Sequence, residues 1–341
     1  MSEPSPTPAR RGRLLRFGAA VAVLFALAGY LAVQYLTGGA GAPRCRVVSG
    51  KDDDASYEFT PEQAVNAATI SAVGTSRRLP ERAVAIALAT ALQESNLRNI
   101  QHGDRDSLGL FQQRPSQGWG TTKQIMDPAY AAGVFYEHLA KVPGYTRLPL
   151  TVAAQRVQRS GYPQAYAKHE PDATLLAAAL TGRAAATLTC EGRPGTTPAG
   201  GPDSVRAALV RDFGHEVLQE AGADVSGQDA SSAPDDASSS SPSAGSGSAS
   251  APASGSPSST VSARTVTVPV RKDAAAGAGV RGWELAHWAV ANSSALHIER
   301  VSYAGREWTA GRREGEWLRS GAQGAPAAKE AATEVRIVTA Q

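Results

Sequence analysis

Apolar and polar positions alternate in different ways along this chain, and each regime predicts a different kind of element. Residues 17–36 carry no charge and almost no polar side chain. From 57 to 182 helix start signals recur and strand alternation is missing. Between 226 and 262 the chain is nearly all Ser, Ala, Gly, Pro and Asp, with too little apolar surface to offset the entropy of ordering it. From Arg264 onward TVTVPV and EVRIV alternate as strands, VRGWELAHWAVANSSAL reads as a helix, and IERVSYAGREW reads as strand, turn at Gly305 and strand.

Local signals sharpen the helical stretch. Thr60, Pro61 and Gln63 spell a capping box with proline at the first helical position. Pro80, the pair Asp127 and Pro128, Pro163 and Pro171 mark further starts, and Gly182 stands where a C-terminal cap belongs. The helix from Pro80 to about Ser95 is apolar on every side, so it belongs in the middle of a bundle. After a Gly/Pro/Thr spacer, Val205, Leu209, Phe213 and Val217 recur every four residues and predict an amphipathic helix within 203–222.

The expectation is a mainly α protein. It has a basic tail (1–16), a transmembrane helix (17–36), an all-α domain (45–190), the 203–222 helix, a disordered segment (226–262) and a small C-terminal α/β domain (264–341). The 203–222 helix is a candidate member of that last domain, recruited across the serine-rich segment.

Charge adds an orientation. The net charge is only +3, and Lys and Arg are scattered, which speaks against a nucleic-acid partner. The exception is Arg10, Arg11, Arg13 and Arg16, immediately before the apolar run. A run of that length spans a bilayer, and the positive-inside rule leaves the N-terminus in the cytoplasm and the later domains outside. Ala40 and Ala42 would suit a cleaved signal peptide, but the apolar run is long for one and Pro43 follows directly. Outside the membrane, Cys45 and Cys190 are expected to pair. Closing so long a loop removes about 4–5 kcal/mol of unfolded-chain entropy.

Candidate chemistry centres on ALQESNLRN. Glu94 ends the apolar helix, where desolvation and the negative end of the helix dipole both disfavour its anion and raise its pKa. A carboxylic acid still protonated near neutral pH can protonate a leaving-group oxygen, as in glycosidic cleavage. The bland alternative is a helix-terminal Glu open to water. The following NIQHGDRDSLGLFQQRPSQGWG is a glycine-rich irregular stretch that can line a groove. Gln112 and Gln113 offer amides for hydroxyl pairs, and Trp119 offers an indole face for a pyranose ring.

ALQESNL followed by DSLGLFQQRP resembles the lysozyme-like superfamily of soluble lytic transglycosylases and goose-type lysozymes, in the version found in actinobacterial cell-wall proteins. Glu94 and Ser95 match its Glu-Ser pair. Gly109, Leu110, Phe111 and Gln112 match its Gly-Leu-Met-Gln segment, with Phe in place of Met. The third motif, Ala-Tyr-Asn, is not found; VAAQRVQRSGYPQAY stands there, with Gln155, Gln158 and Tyr162 as substitutes. The resemblance covers roughly 57–182. It implies cleavage of the β-1,4 bond between N-acetylmuramic acid and N-acetylglucosamine, with Glu94 as general acid and then base and Ser95 beside the substrate. A hydrolase of the usual kind needs a second carboxylate about 5–9.5 Å away. Asp104 and Asp106 are nearest in sequence, though short acids in such loops commonly cap turns. The balance favours transglycosylase chemistry.

Other features add little. Asp52, Asp53 and Asp54 lack EF-hand spacing, and His102, His138 and His169 share no metal-ligand spacing, so neither metal nor cofactor is expected. Tyr136 and Tyr145 are within reach of a groove. Trp283, His287, Trp288 and Asn292 share part of a helix face and read as packing, while Trp308 and Trp317 fit a core or a sugar-binding surface equally. The expected protein is a single-pass, outward-facing, peptidoglycan-cleaving enzyme, with glycan strands and the bilayer as partners. The alternative is a non-catalytic wall-binding or scaffolding protein that retains the groove.

Overall fold

The computed structural model describes residues 43–51, 53–191, 200–219, 264–270, 277–311, 316–319 and 333–340, with Val21, Phe25, Ala28 and Gly29. The chain divides into two compact units, Met1–Pro43 and Arg44–Gln341. Within 17–36 the four described residues are helical and the others lie outside the described residues, as do the basic tail and the 226–262 segment. Among the described residues no helix is long and apolar enough to cross a membrane, and the span expected at 17–36 lies largely outside them.

The second unit is not all-α where that was expected. Strands β1 (Cys45–Val48), β2 (Ser56–Phe59) and β3 (Leu188–Cys190) form an antiparallel sheet in the order β2-β1-β3. Three or four residues are too few to show alternation, and the sheet joins chain ends far apart in sequence. Cys45 sits opposite Cys190 in the β1–β3 register, with a Cα separation of 3.9 Å, and the two are disulfide-bonded. The same Cys45 pairs with Phe59 on its other side, where the Phe59 and Tyr57 rings stack at 5.4 Å.

Six helices follow β2. They are α1 (Pro61–Ser76), α2 (Glu81–Ser95), the single turn α3 (Thr122–Ile125), α4 (Pro128–Ala140), α5 (Leu150–Gln158) and α6 (Glu170–Leu180). Most starts are the predicted ones. Thr60 and Gln63 close a reciprocal capping box, Asp127 caps α4 by accepting from two backbone N–H groups, and Pro171 lies in the first turn of α6. Pro163, by contrast, opens only a turn that runs into the 3₁₀ segment Ala167–His169. Every residue from Ala83 to Leu92 is buried, because α2 is wrapped by α1, α4, α5 and α6.

The C-terminal residues build onto this body. Strands β4 (Thr265–Pro269), β5 (Ile298–Tyr303), β6 (Arg306–Thr309), β7 (Leu318–Arg319) and β8 (Glu334–Thr339) form an antiparallel sheet in the order β4-β8-β5-β6-β7. Helix α8 (Ala278–Ala291) packs on it through β5 and β8, and on α1, α6 and β3 through its other side. Contact is close enough that a Cβ on Gly182, whose φ is +75°, would lie 1.9 Å from the Val280 carbonyl oxygen. Polar groups finish the joint. His287 Nδ1 donates to the Ala179 carbonyl at 2.7 Å, its Nε2 accepts from the Thr187 N–H at 3.2 Å, and Trp317 Nε1 donates to the Leu188 carbonyl at 2.9 Å. Burial holds the His287 imidazole neutral, with its pKa pushed down to about 4. Trp308 and Trp317 are both buried.

Helix α7 (Gly201–Phe213) is shorter than the 203–222 pattern suggested, because Gly214 breaks it before a 3₁₀ turn at His215–Leu218. It reaches α1, β4 and β8. Its Asp212 carboxylate is fully buried and accepts from Thr69 Oγ1 of α1 at 3.2 Å, Trp288 Nε1 of α8 at 2.8 Å and Arg211 Nε at 2.8 Å. Asp212→Ala leaves the indole and hydroxyl donors without acceptors, so it is expected to cost about 3 kcal/mol. Urea unfolding of the variant measures this, and a midpoint unchanged from wild type would show that the carboxylate does not tie the three helices together.

Candidate active site

Glu94 occupies the last turn of α2, and the backbone beyond it is unusual. Asn96 and Leu97 both have positive φ, +54° and +57°; Asn tolerates this region, but a bulky apolar residue pays about 1–3 kcal/mol for it. Two amides from α1 fix the turn. Gln63 Nε2 donates to the Asn96 carbonyl at 2.9 Å and Asn66 Nδ2 to the Leu97 carbonyl at 2.8 Å, while the Leu97 side chain is fully buried. The strained bend lets the chain leave the helix end at once and return over it as the glycine-rich stretch.

That return is anchored at Ser95, whose Oγ donates to the Leu110 carbonyl at 2.8 Å. Gly109 to Gln112 make a tight turn closed by the Leu108–Gln113 bridge, with Gly109 at φ +74° and Gln112 at φ +48°. Phe111 is buried and stacks on Phe135 of α4 at 4.7 Å. Phe111 therefore supplies a core anchor for the turn. From the other side Gln158, the last residue of α5, donates its Nε2 to the Phe111 carbonyl at 2.8 Å.

The acid itself is half-buried, and Tyr166 Oη donates to its Oε1 at 2.7 Å. Desolvation raises the Glu94 pKa, and hydrogen bonds from Tyr166 and Gln158 offset part of that rise. The result is an acid that keeps its proton more readily than a free glutamate, yet has two donors in place for the anion once the proton leaves. Behind it, His169 Nε2 lies 3.2 Å from Gln93 Oε1, its ring kept neutral chiefly by burial.

The remaining sequence candidates scatter. Gln112 stays half-buried at the turn, its amide donating to the Gly109 carbonyl at 3.2 Å. Gln113 is buried and donates to the Ala131 carbonyl at 3.1 Å, so it braces α4 and does not face a ligand. Gln155 is spent on the Ser160 carbonyl at 2.7 Å. Tyr162 is exposed. Trp119 is half-buried with one face against the His138 ring, at 4.3 Å and 22°. Asp106 is held by Arg114 Nε at 2.6 Å and the Ser116 N–H at 2.9 Å, which keeps its carboxyl well below the usual range. Asp104 is exposed, its nearest cation being Arg105 at 4.0 Å. The side chains that hydrogen-bond to Glu94 are those of Tyr166 and Gln158. Tyr136 is buried, with its hydroxyl on the Ile70 carbonyl at 3.0 Å.

Sequence reasoning missed Tyr166, Gln63 and Asn66. For Tyr166 a signal existed: Ala165–Tyr166 resembles the start of Ala-Tyr-Asn and lies four positions after Tyr162. Gln63 and Asn66 gave none, since amides on a helix face usually meet water.

Because the Tyr166 hydroxyl stabilises the Glu94 anion, Tyr166→Phe is expected to raise the Glu94 pKa further. In a pH–rate profile the limb on which the acid loses its proton should move to higher pH, with the maximal rate down about 10- to 100-fold. An unshifted limb would mean that the two side chains are not coupled in the folded protein.

No protein-family model and no curated protein matches this chain.

Proposed function

We propose that this protein cleaves peptidoglycan glycan strands at the N-acetylmuramic acid to N-acetylglucosamine linkage, with Glu94 as the proton donor. The observation that carries the reading is the half-buried Glu94, raised in pKa by desolvation and gripped by Tyr166 at 2.7 Å. Its resemblance to lytic transglycosylases, resting on Glu94–Ser95 and Gly109–Gln112, supplies the substrate. The disulfide supports an extracytoplasmic location, because such bonds persist in oxidising compartments.

The chemistry follows from one acid. Protonated Glu94 gives its proton to the bridging oxygen as the glycosidic bond breaks. The new carboxylate is then held by the Tyr166 hydroxyl and the Gln158 amide, and it takes a proton from the muramoyl 6-hydroxyl as that oxygen closes onto the anomeric carbon. Atoms balance without water, and the product is an anhydro sugar. Asp106 is tied to Arg114 and Ser116, and the anhydro-forming route needs no second carboxylate.

The second reading, a wall-binding protein without turnover, is favoured by the departure from the Ala-Tyr-Asn motif at Ala167. The test is to incubate the purified chain with insoluble peptidoglycan and identify released fragments by mass spectrometry. Anhydro ends support the proposal. Reducing ends would convert it to a hydrolase, and retained binding with no release would favour the second reading.

A further inference from the structure

Gly161, Tyr162, Pro163 and Gln164 are all exposed, and none of these side chains joins the core. A loop with so little apolar contact usually moves freely, yet this one is braced from α5 on both sides of Tyr162. Gln155 Nε2 donates to the Ser160 carbonyl at 2.7 Å, and Thr151 Oγ1 donates to the Pro163 carbonyl at 2.6 Å. The Tyr162 backbone is itself held twice, its N–H on Ser160 Oγ at 3.1 Å and its carbonyl accepting from the Ala165 N–H at 3.0 Å. What these bonds fix is the placement of an aromatic ring.

That ring is 79% exposed, whereas every other aromatic ring described in Arg44–Gln341 is buried or half-buried. Both ends of its loop run to the acid. Four residues on, Tyr166 donates to Glu94 at 2.7 Å; four residues back, Gln158 donates to the Phe111 carbonyl, in the turn that Ser95 anchors from the helix end. Four residues span at most about 14 Å, so a polymer lying across Glu94 extends far enough to meet Tyr162. The face of a β-linked pyranose that carries axial C–H groups is apolar, and it packs flat on an aromatic ring. A tyrosine on a braced backbone has two side-chain torsions left to fix, so little entropy is lost when the sugar arrives.

We infer that Tyr162 is a stacking platform for a pyranose ring of the bound strand, at a subsite flanking the linkage that Glu94 protonates. This rests on the proposed glycan substrate. Tyr162 grips the polymer and takes no part in the proton transfers.

The experiment is calorimetric titration of the full chain, carrying Glu94→Gln to stop turnover, with peptidoglycan strands freed of peptide by an amidase. Adding Tyr162→Ala should weaken binding about three- to tenfold, while Tyr162→Phe and Tyr162→Trp should stay within about twofold of the parent. All three should melt at the parent temperature, since the ring supports no core. Parent-level binding by Tyr162→Ala, or binding by Tyr162→Phe as weak as that of Tyr162→Ala, would overturn the platform and leave the glycan reading standing. A parent chain that binds no strands would overturn both.

Discussion

Glu94→Gln is expected to abolish release of glycan fragments, by about a thousandfold or more, while binding to the wall is retained. The amide keeps the size of the side chain and can still accept from Tyr166, but it has no proton to give. Unchanged release in this variant would remove Glu94 from the mechanism.

The same substitution carries a stability consequence of defined sign. The Glu94 pKa is raised in the folded state, so the protonated form favours folding, and the benefit disappears as pH rises through the folded value. Above its folded pKa the wild type bears the cost of a half-buried anion, whereas the glutamine variant does not. The variant should therefore melt higher by a few degrees at pH 7, at about 2–4 °C per kcal/mol for a body of this size. The gap should close toward pH 4. A gap independent of pH would mean that the residue does not titrate in the folded protein.

The largest stability effect belongs to the Cys45–Cys190 bond. It spans 145 residues, and opening it restores about 5 kcal/mol of unfolded-chain entropy in the loop-closure model. The sheet it staples has strands of only three and four residues, so pairing alone holds it weakly. Reduction, or the double substitution of both cysteines by alanine, should lower the melting temperature by roughly 10 °C or more. Calorimetry with and without reductant measures this. A melting temperature indifferent to reductant would place the strength of the sheet in its packing on α6.

Elements whose start signals are local were legible in the sequence. Thr60–Pro61–Gln63 and Asp127–Pro128 specify their helices because the capping partners lie within three residues. Strands β4, β5, β6 and β8 could be read because each is long enough, or follows a turn distinctive enough, to show its period. What escaped is non-local. β3 pairs with β1 from the opposite end of the helical region, and β1 and β2, though neighbours in sequence, are too short to show their period. The expectation of an all-α region failed for that reason. At the site, the position of Glu94 at the end of a buried helix was visible and Gln158 was named beside it as a substrate-binding residue, but Tyr166 was not. Tyr166 lies 72 positions away and Gln158 comes from another helix, so only the fold decides that these two, and not Tyr162 or Gln113, meet the acid.

The bend after Glu94 depends on α1, and α1 depends on the end of the chain. Gln63 and Asn66 hold the bend, Thr69 on the same helix meets Asp212, and Asp212 is capped by Trp288. During synthesis these partners emerge in that order, Trp288 last, and the helix that bears it packs on β8. A nascent chain thus carries its acid long before it has the scaffold that aims it. The turn behind Glu94 is thus coupled, through α1 and Asp212, to a helix far downstream in the chain.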